Sequence, residues 1–192
     1  MKKTGLYFGS FNPIHIGHLI IANQILTNSD LQEIWFVISP HNPLKEKNTL
    51  LDDNHRLSLV KVAIEDNPDF KACDIEFKMP KPSYTIHTLL NLEEKYPNRK
   101  FCLIIGSDNL FSFEKWFNYE QILKNYQLYV YPRPNYIDCP FKTHPSVKWV
   151  DAPLIEISSS AIRNAIKNNI SVRYLLPDKV LDYINEMHFY QK

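Results

Sequence analysis

The stretch Leu6-Tyr7-Phe8-Gly9-Ser10-Phe11-Asn12-Pro13-Ile14-His15-Ile16-Gly17-His18 is an apolar run that ends in glycine, turns, and leads into the helix-forming residues Leu19-Ile20-Ile21-Ala22-Asn23-Gln24-Ile25-Leu26. A strand that ends in this way and starts a helix gathers free backbone N–H groups and the positive end of a helix dipole at one point, which suits a phosphate. His15 and His18, spaced i and i+3 on the first helical turn, project from one face and reach the same anion. Their ring N–H groups can donate to phosphate oxygens and stabilise the charge that grows as a phosphorus–oxygen bond breaks. A His-x-x-His pair can also chelate metal, but zinc needs three or four ligands and the stretch holds no Cys, Asp or Glu.

The chain has only four glycines in 192 residues, where average usage of about 7% would give roughly thirteen. Three of them are Gly9, Gly17 and Gly106, and Gly106 closes a second apolar run in Ile104-Ile105-Gly106-Ser107-Asp108. Apolar, β-rich runs recur at Leu6–Phe8, Ile34–Ile38, Phe101–Ile105, Leu128–Tyr131 and Val147–Val150. Helical patterns lie between the earlier ones. Asp52-Asp53-Asn54 caps a helix with Leu57, Val60 and Ile64 on one side, and another helix runs from about Thr85 to Lys95, stopping before Pro97. Alternating strands and helices predict a Rossmann-like α/β fold, a parallel sheet with helices on both faces. Ligands of such sheets bind beyond the carboxyl ends of the strands, where the strand order switches, so Gly9 and Gly106 belong to that crevice.

The length fits one domain, 1–192, ending in a small helical part over about 158–192, and no repeat or long linker divides it. A net charge of +1 gives no broad basic field, which argues against nucleic acid as a partner and for a small anion. Cys73, Cys102 and Cys139 are odd in number and show no C-x-x-C spacing, so neither a disulfide framework nor a zinc ribbon is expected. No run approaches the ~18 apolar residues that span a bilayer, and the apolar stretch after Met1-Lys2-Lys3 is broken too soon for a signal peptide. The expectation is a soluble, cytoplasmic protein. Oligomeric state, including a homo-oligomer, is left open.

Residues 9–18 resemble the H-x-G-H signature of the nucleotidyltransferase superfamily, and the fuller G-S-F-N-P-x-H-x-G-H string resembles the bacterial nicotinate-nucleotide adenylyltransferase family. Four further segments match that family in order. Ser39-Pro40-His41-Asn42-Pro43-Leu44-Lys45 stands where the family carries a basic loop that helps to bind the mononucleotide, implying Lys45. Pro82-Ser83-Tyr84-Thr85-Ile86-His87-Thr88-Leu89 resembles P-S-Y-T-x-D-T-L, with His87 in place of the usual Asp, and implies Tyr84 and Thr85 beside the nicotinate ring. Ile104-Ile105-Gly106-Ser107-Asp108-Asn109-Leu110 with Trp116 resembles I-x-G-x-D-x-L…W. Ile157-Ser158-Ser159-Ser160-Ala161-Ile162-Arg163 resembles I-S-S-T-x-I-R, and Val172 to Pro177 matches the usual finish.

The resemblance implies transfer of AMP from ATP to nicotinate mononucleotide, giving deamido-NAD and pyrophosphate. His15, His18 and Arg163 are the implied catalytic residues. Gly9, Ser10, Phe11, Gly17, Gly106, Asp108, Ser158 and Ser159 would hold ATP, and Asn12, Lys45, Tyr84, Thr85 and Trp116 the mononucleotide. Each also has a plainer reading. Asp108, Ser158, Ser83 or Thr85 can simply cap helices, Trp116 can be core, and the loop at 39–47 can be solvated. Magnesium is expected to arrive with ATP, since no protein metal cage is visible. The competing readings are a pantetheine-phosphate adenylyltransferase or a catalytically silent nucleotide-binding regulator. Lys78-Met79-Pro80-Lys81-Pro82-Ser83 looks like the K-M-S-K-S loop of class I tRNA synthetases, but two prolines distort it and no length remains for a tRNA-binding domain.

Overall fold

Four consecutive buried residues, Thr4 to Tyr7, make β1 (Lys2–Gly9) the centre of a sheet covered on both faces. The computed structural model describes residues 1–40, 50–136 and 138–191. Around β1 lie β2 (Glu33–Ile38), β3 (Phe70–Cys73), β4 (Arg99–Gly106), β5 (Gln127–Tyr131) and β6 (Val147–Trp149), in the order β3-β2-β1-β4-β5-β6. Every pairing is parallel. The order reverses between β1 and β4, and there the exits of two neighbouring strands diverge to leave a crevice.

The strands read as near-continuous apolar runs because helices cover both faces. Alternation then sorts their side chains. Ile34, Phe36, Ile38, Cys102, Ile104 and Tyr129 share one core with α1 (Ile16–Thr27), α2 (Asp53–Ile64), α6 (Ser159–Lys167) and α7 (Asp178–Glu186). Leu6, Val37, Phe101, Leu103, Ile105 and Leu128 share the other with α3 (Thr85–Lys95), α4 (Ser107–Phe111) and α5 (Tyr119–Asn125). Among the described residues no helix is long and apolar enough to cross a membrane, and the three cysteines are buried thiols.

The predicted strands all form, though the last ends at Trp149 rather than Val150. The α2 and α3 expectations hold closely. Asp52 caps α2 by accepting the Asn54 N–H at 2.9 Å, and α3 covers Thr85–Lys95. The sequence reading omits β3, whose four residues are too short for a period-two signal.

Candidate active site

The turn after β1 is fastened from beneath by a buried guanidinium. Arg56 of α2 is fully buried and donates to the carbonyls of Ser10 at 2.5 Å, Ser39 at 3.0 Å, Leu51 at 3.1 Å and Pro40 at 3.4 Å, with Asp53 at 2.5 Å as counter-charge. The exits of β1 and β2 therefore share one anchor. Above it Phe11 takes a left-handed backbone (φ 45°) and is buried, a conformation that costs a non-glycine residue about 1–2 kcal/mol. Its ring lies against Gly9, where a Cβ would meet it at 2.8 Å. Only glycine at position 9 admits that ring.

The histidine pair differs from two equivalent residues on one helical turn. His15 precedes α1 in extended backbone, and His18 sits in the first turn. Their rings stack at 3.7 Å with 24° between planes. The His15 N–H donates to Nδ1 of His18 at 3.2 Å, so in neutral His18 the proton rests on Nε2, leaving that nitrogen as a donor. The His18 ring also packs edge-on against Phe11 and Tyr7, at 5.1 and 6.1 Å. His15 is buried, and burial, helped by the Arg133 charge, lowers its pKa to about 4. It is a neutral imidazole at neutral pH. Its side chain faces the His18 backbone N–H, completing a reciprocal capping arrangement with the His15 N–H and His18 Nδ1. Gly17 is buried, and a Cβ on it would meet Ile155 at 2.7 Å and His15 at 3.1 Å.

The C-terminal segments fold back onto this turn. Ser158 caps α6 by accepting the Ala161 N–H at 3.2 Å, and Ser159 Oγ donates to the Pro13 carbonyl at 2.9 Å. That leaves Ser159 its backbone N–H, rather than its hydroxyl proton, for an anion. Arg163 donates to the Asn12 carbonyl at 2.8 Å and to Ser160 Oγ at 3.3 Å. Asn12 is buried, and its side-chain oxygen accepts from Tyr190 at 2.8 Å and the Leu51 N–H at 3.3 Å. In the structure Asn12 ties the loop to the C-terminal tail.

Beside the turn, a cavity of about 380 Å³ runs from Gly9 and Ser10, past Gly106 and Asp108, to Tyr84 and Thr85 at the start of α3. Trp116 lines it, half-buried with its ring 5.0 Å from Phe113. Tyr84 and Phe117 face each other at its mouth, 4.8 Å apart, with His87 edge-on to both. The plainer capping alternatives for Ser83, Thr85 and Asp108 do not hold. Tyr84, not Ser83 or Thr85, holds the cap position of α3, because Ser83 Oγ donates to Glu76 at 2.9 Å. Gly106, not Asp108, holds that of α4. Asp108 instead folds over Gly106, where a Cβ would meet Oδ1 at 2.3 Å, and that buried oxygen has no hydrogen-bond partner among the described residues. An acceptor so placed suits a ribose hydroxyl.

Gly9, Ser10, Gly106, Asp108, Tyr84, Thr85 and Trp116 line the cavity; Phe11, Asn12, His15, Gly17 and His18 lie in the turn beside it, Ser159 and Arg163 bond to that turn while Ser158 caps α6, and Lys45 lies outside the described residues. The sequence reading passed over Arg133, Glu76, Phe117, Tyr190 and Arg56. Arg133 follows β5, donates its side chain to the Tyr131 hydroxyl and the Ile155 carbonyl at 3.3 Å each, and donates its backbone N–H to Ser107 Oγ at 2.8 Å. Its signal was an arginine directly after a strand, on the same sheet edge as Gly9 and Gly106. Among the described residues no group of three or more His, Cys, Asp or Glu could hold a metal ion.

Residues 6–165 match the cytidylyltransferase-like family model. A protein of Flavobacterium psychrophilum is 56% identical, covering 99% of this chain and 100% of its own, and carries the curated name probable nicotinate-nucleotide adenylyltransferase. The chain belongs to the nicotinate-nucleotide adenylyltransferase family. Two further relatives of the same name, from Flavobacterium johnsoniae and Bacteroides thetaiotaomicron, are 54% and 47% identical, covering 99% and 96% of this chain and 100% and 91% of theirs. Full-length likeness to nicotinate-nucleotide adenylyltransferases decides against the pantetheine-phosphate reading and makes this chain an enzyme. The fold agrees with that of the Plasmodium falciparum nicotinic acid mononucleotide adenylyltransferase complexed with NaAD, with a TM-score of 0.83, 22% identity and coverage of 99% and 98% of the two chains.

Proposed function

We propose that this chain transfers AMP from magnesium-bound ATP to nicotinate mononucleotide, releasing pyrophosphate and deamido-NAD. One observation carries the reading: a single cavity joins the exits of β1 and β4 to the N-terminus of α3. The H-x-G-H turn borders its other end. A triphosphate suits that turn, and a mononucleotide with an anionic ring substituent suits α3, whose dipole favours negative charge.

The chemistry needs no base and no covalent nucleophile, because the attacking group is already an ionised phosphate. One of its oxygens bonds to the α-phosphorus of ATP as the bond from that phosphorus to the bridging oxygen breaks, and pyrophosphate leaves with the electron pair. The roles proposed for His18 and Arg163 are to donate to oxygens whose charge grows in that step, with neutral His15 stacked on His18 to fix its ring. Gly9, Ser10, Phe11, Gly17, Ser158 and Ser159 would line the phosphate path, and Asp108 would accept from the ribose of ATP. Tyr84 and Thr85 would flank the nicotinate carboxylate, with Trp116 stacking on the cationic ring for about 0.5–2 kcal/mol. Magnesium enters with the nucleotide and offsets the charge on the departing pyrophosphate.

Incubation with ATP, magnesium and a panel of phosphate-bearing acceptors, followed by pyrophosphate assay, tests this. Nicotinate mononucleotide is expected to be the best acceptor, ahead of its amide. Pyrophosphate release with another acceptor and none with nicotinate mononucleotide would refute it.

A further inference from the structure

Glu76 is a buried acid on the wall of the cavity that the transfer chemistry does not use. It lies in the single 3-10 turn Ile75–Lys78 that follows β3. Its two oxygens accept from Thr88 Oγ1 at 2.7 Å and Ser83 Oγ at 2.9 Å, and the Ser39 hydroxyl donates to it as well. Burial pushes its carboxyl above the ordinary range, and these three hydroxyls oppose that shift. Among the described residues no Lys, Arg or His forms an ion pair with it.

A hydroxyl has one proton to give. Once Ser39 and Ser83 have spent theirs on Glu76, they present only lone pairs to the cavity, which both of them line. This wall therefore carries one negative charge and two acceptor oxygens beside Tyr84 and Thr85. An N–H donor is welcome there. A carboxylate meets repulsion that the start of α3 must outweigh.

We propose that Glu76 is a specificity-determining residue that tempers the preference for the nicotinate acid over the amide, by its charge and by aiming the Ser39 and Ser83 hydroxyl protons away from the ligand. The inference rests on the placement of the nicotinate ring beside Tyr84 and Thr85 proposed above. Glu76→Gln keeps the shape and removes the charge. With its amide N–H₂ at the Oε2 position and its oxygen still accepting from Thr88, it donates to Ser83 Oγ, whose own proton turns toward the cavity and meets the substrate carboxylate.

The test is the ratio of kcat/KM for nicotinate mononucleotide to that for nicotinamide mononucleotide, in the full chain. Glu76→Gln is expected to raise the acid-to-amide ratio by at least about threefold, the scale of one hydrogen bond gained. General damage would lower both substrates together and cannot produce a rise. Ser83→Ala, which removes one inward acceptor and leaves the buried charge in place, is expected to raise the ratio less, through a poorer amide substrate; it supplies the test if the first variant does not fold. A ratio unchanged or lowered in the folded variants would overturn the inference while leaving adenylyl transfer intact. A wild-type protein that turns over neither mononucleotide would overturn the functional reading and this inference with it.

Discussion

His18→Ala is expected to lower kcat by about 10²–10³, the usual loss when one preorganised donor to a developing charge is removed, while leaving KM for ATP nearly unchanged. The expectation follows from the ring's fixed geometry. Stacked on His15, packed against Phe11 and Tyr7, and accepting the His15 N–H at Nδ1, the imidazole is held before substrate arrives, with Nε2–H as its donor. An interaction worth most in the transition state appears in kcat. Steady-state kinetics with both substrates varied would check it, and a raised KM with kcat intact would mean that His18 binds ground state and transition state alike.

Arg56→Met is expected to be the most destabilising single change among the residues discussed. Four carbonyls, those of Ser10, Ser39, Pro40 and Leu51, lose their donor together, and Asp53 loses its buried partner and keeps only the exposed Lys81 at 3.4 Å. Orphaning such groups around a buried charge costs about 3–5 kcal/mol, or roughly 6–20 °C in Tm for a chain of this size. Arg56→Lys should recover only part of the loss, since an ammonium cannot span the same fork of acceptors. Thermal unfolding measures both. A Tm within about 3 °C of wild type for Arg56→Met would show that the exits of β1 and β2 are held by other contacts.

The fold was legible where its signals are local. Gly9 after Leu6-Tyr7-Phe8, the cap at Asp52 and the stop before Pro97 each declare themselves within a few residues, and alternation of strands with helices specified the parallel sheet. β3 has only Phe70 and Cys73 buried among its four residues, so too little pattern was present to find it. The site divides in the same way. Gly9 and Gly106, at strand exits, could be placed from their immediate neighbours, whereas Asp108, Tyr84 and Arg163 were implied by the family resemblance. Residues whose task depends on distant partners could be found by neither route. Tyr190 reaches Asn12 across 178 positions, and Arg56 reaches Ser10 across 46. Arg133 stands out only once β5 is seen to end beside β4. Long-range pairing erases local signal, whereas Ser83 is drawn from its capping role by a nearer partner, Glu76, seven residues before it.

In the proposed transfer the acceptor phosphate attacks the α-phosphorus of ATP directly, with His18 a donor and neither histidine a nucleophile. The stereochemical course of the transfer measures this. With ATP made chiral by sulfur substitution at the α-phosphate, a single in-line displacement by nicotinate mononucleotide must yield deamido-NAD of inverted configuration at phosphorus. Inversion is the predicted result. Net retention would mean two successive displacements through an adenylylated side chain, with His15 or His18 the nearest candidates, and would contradict the account.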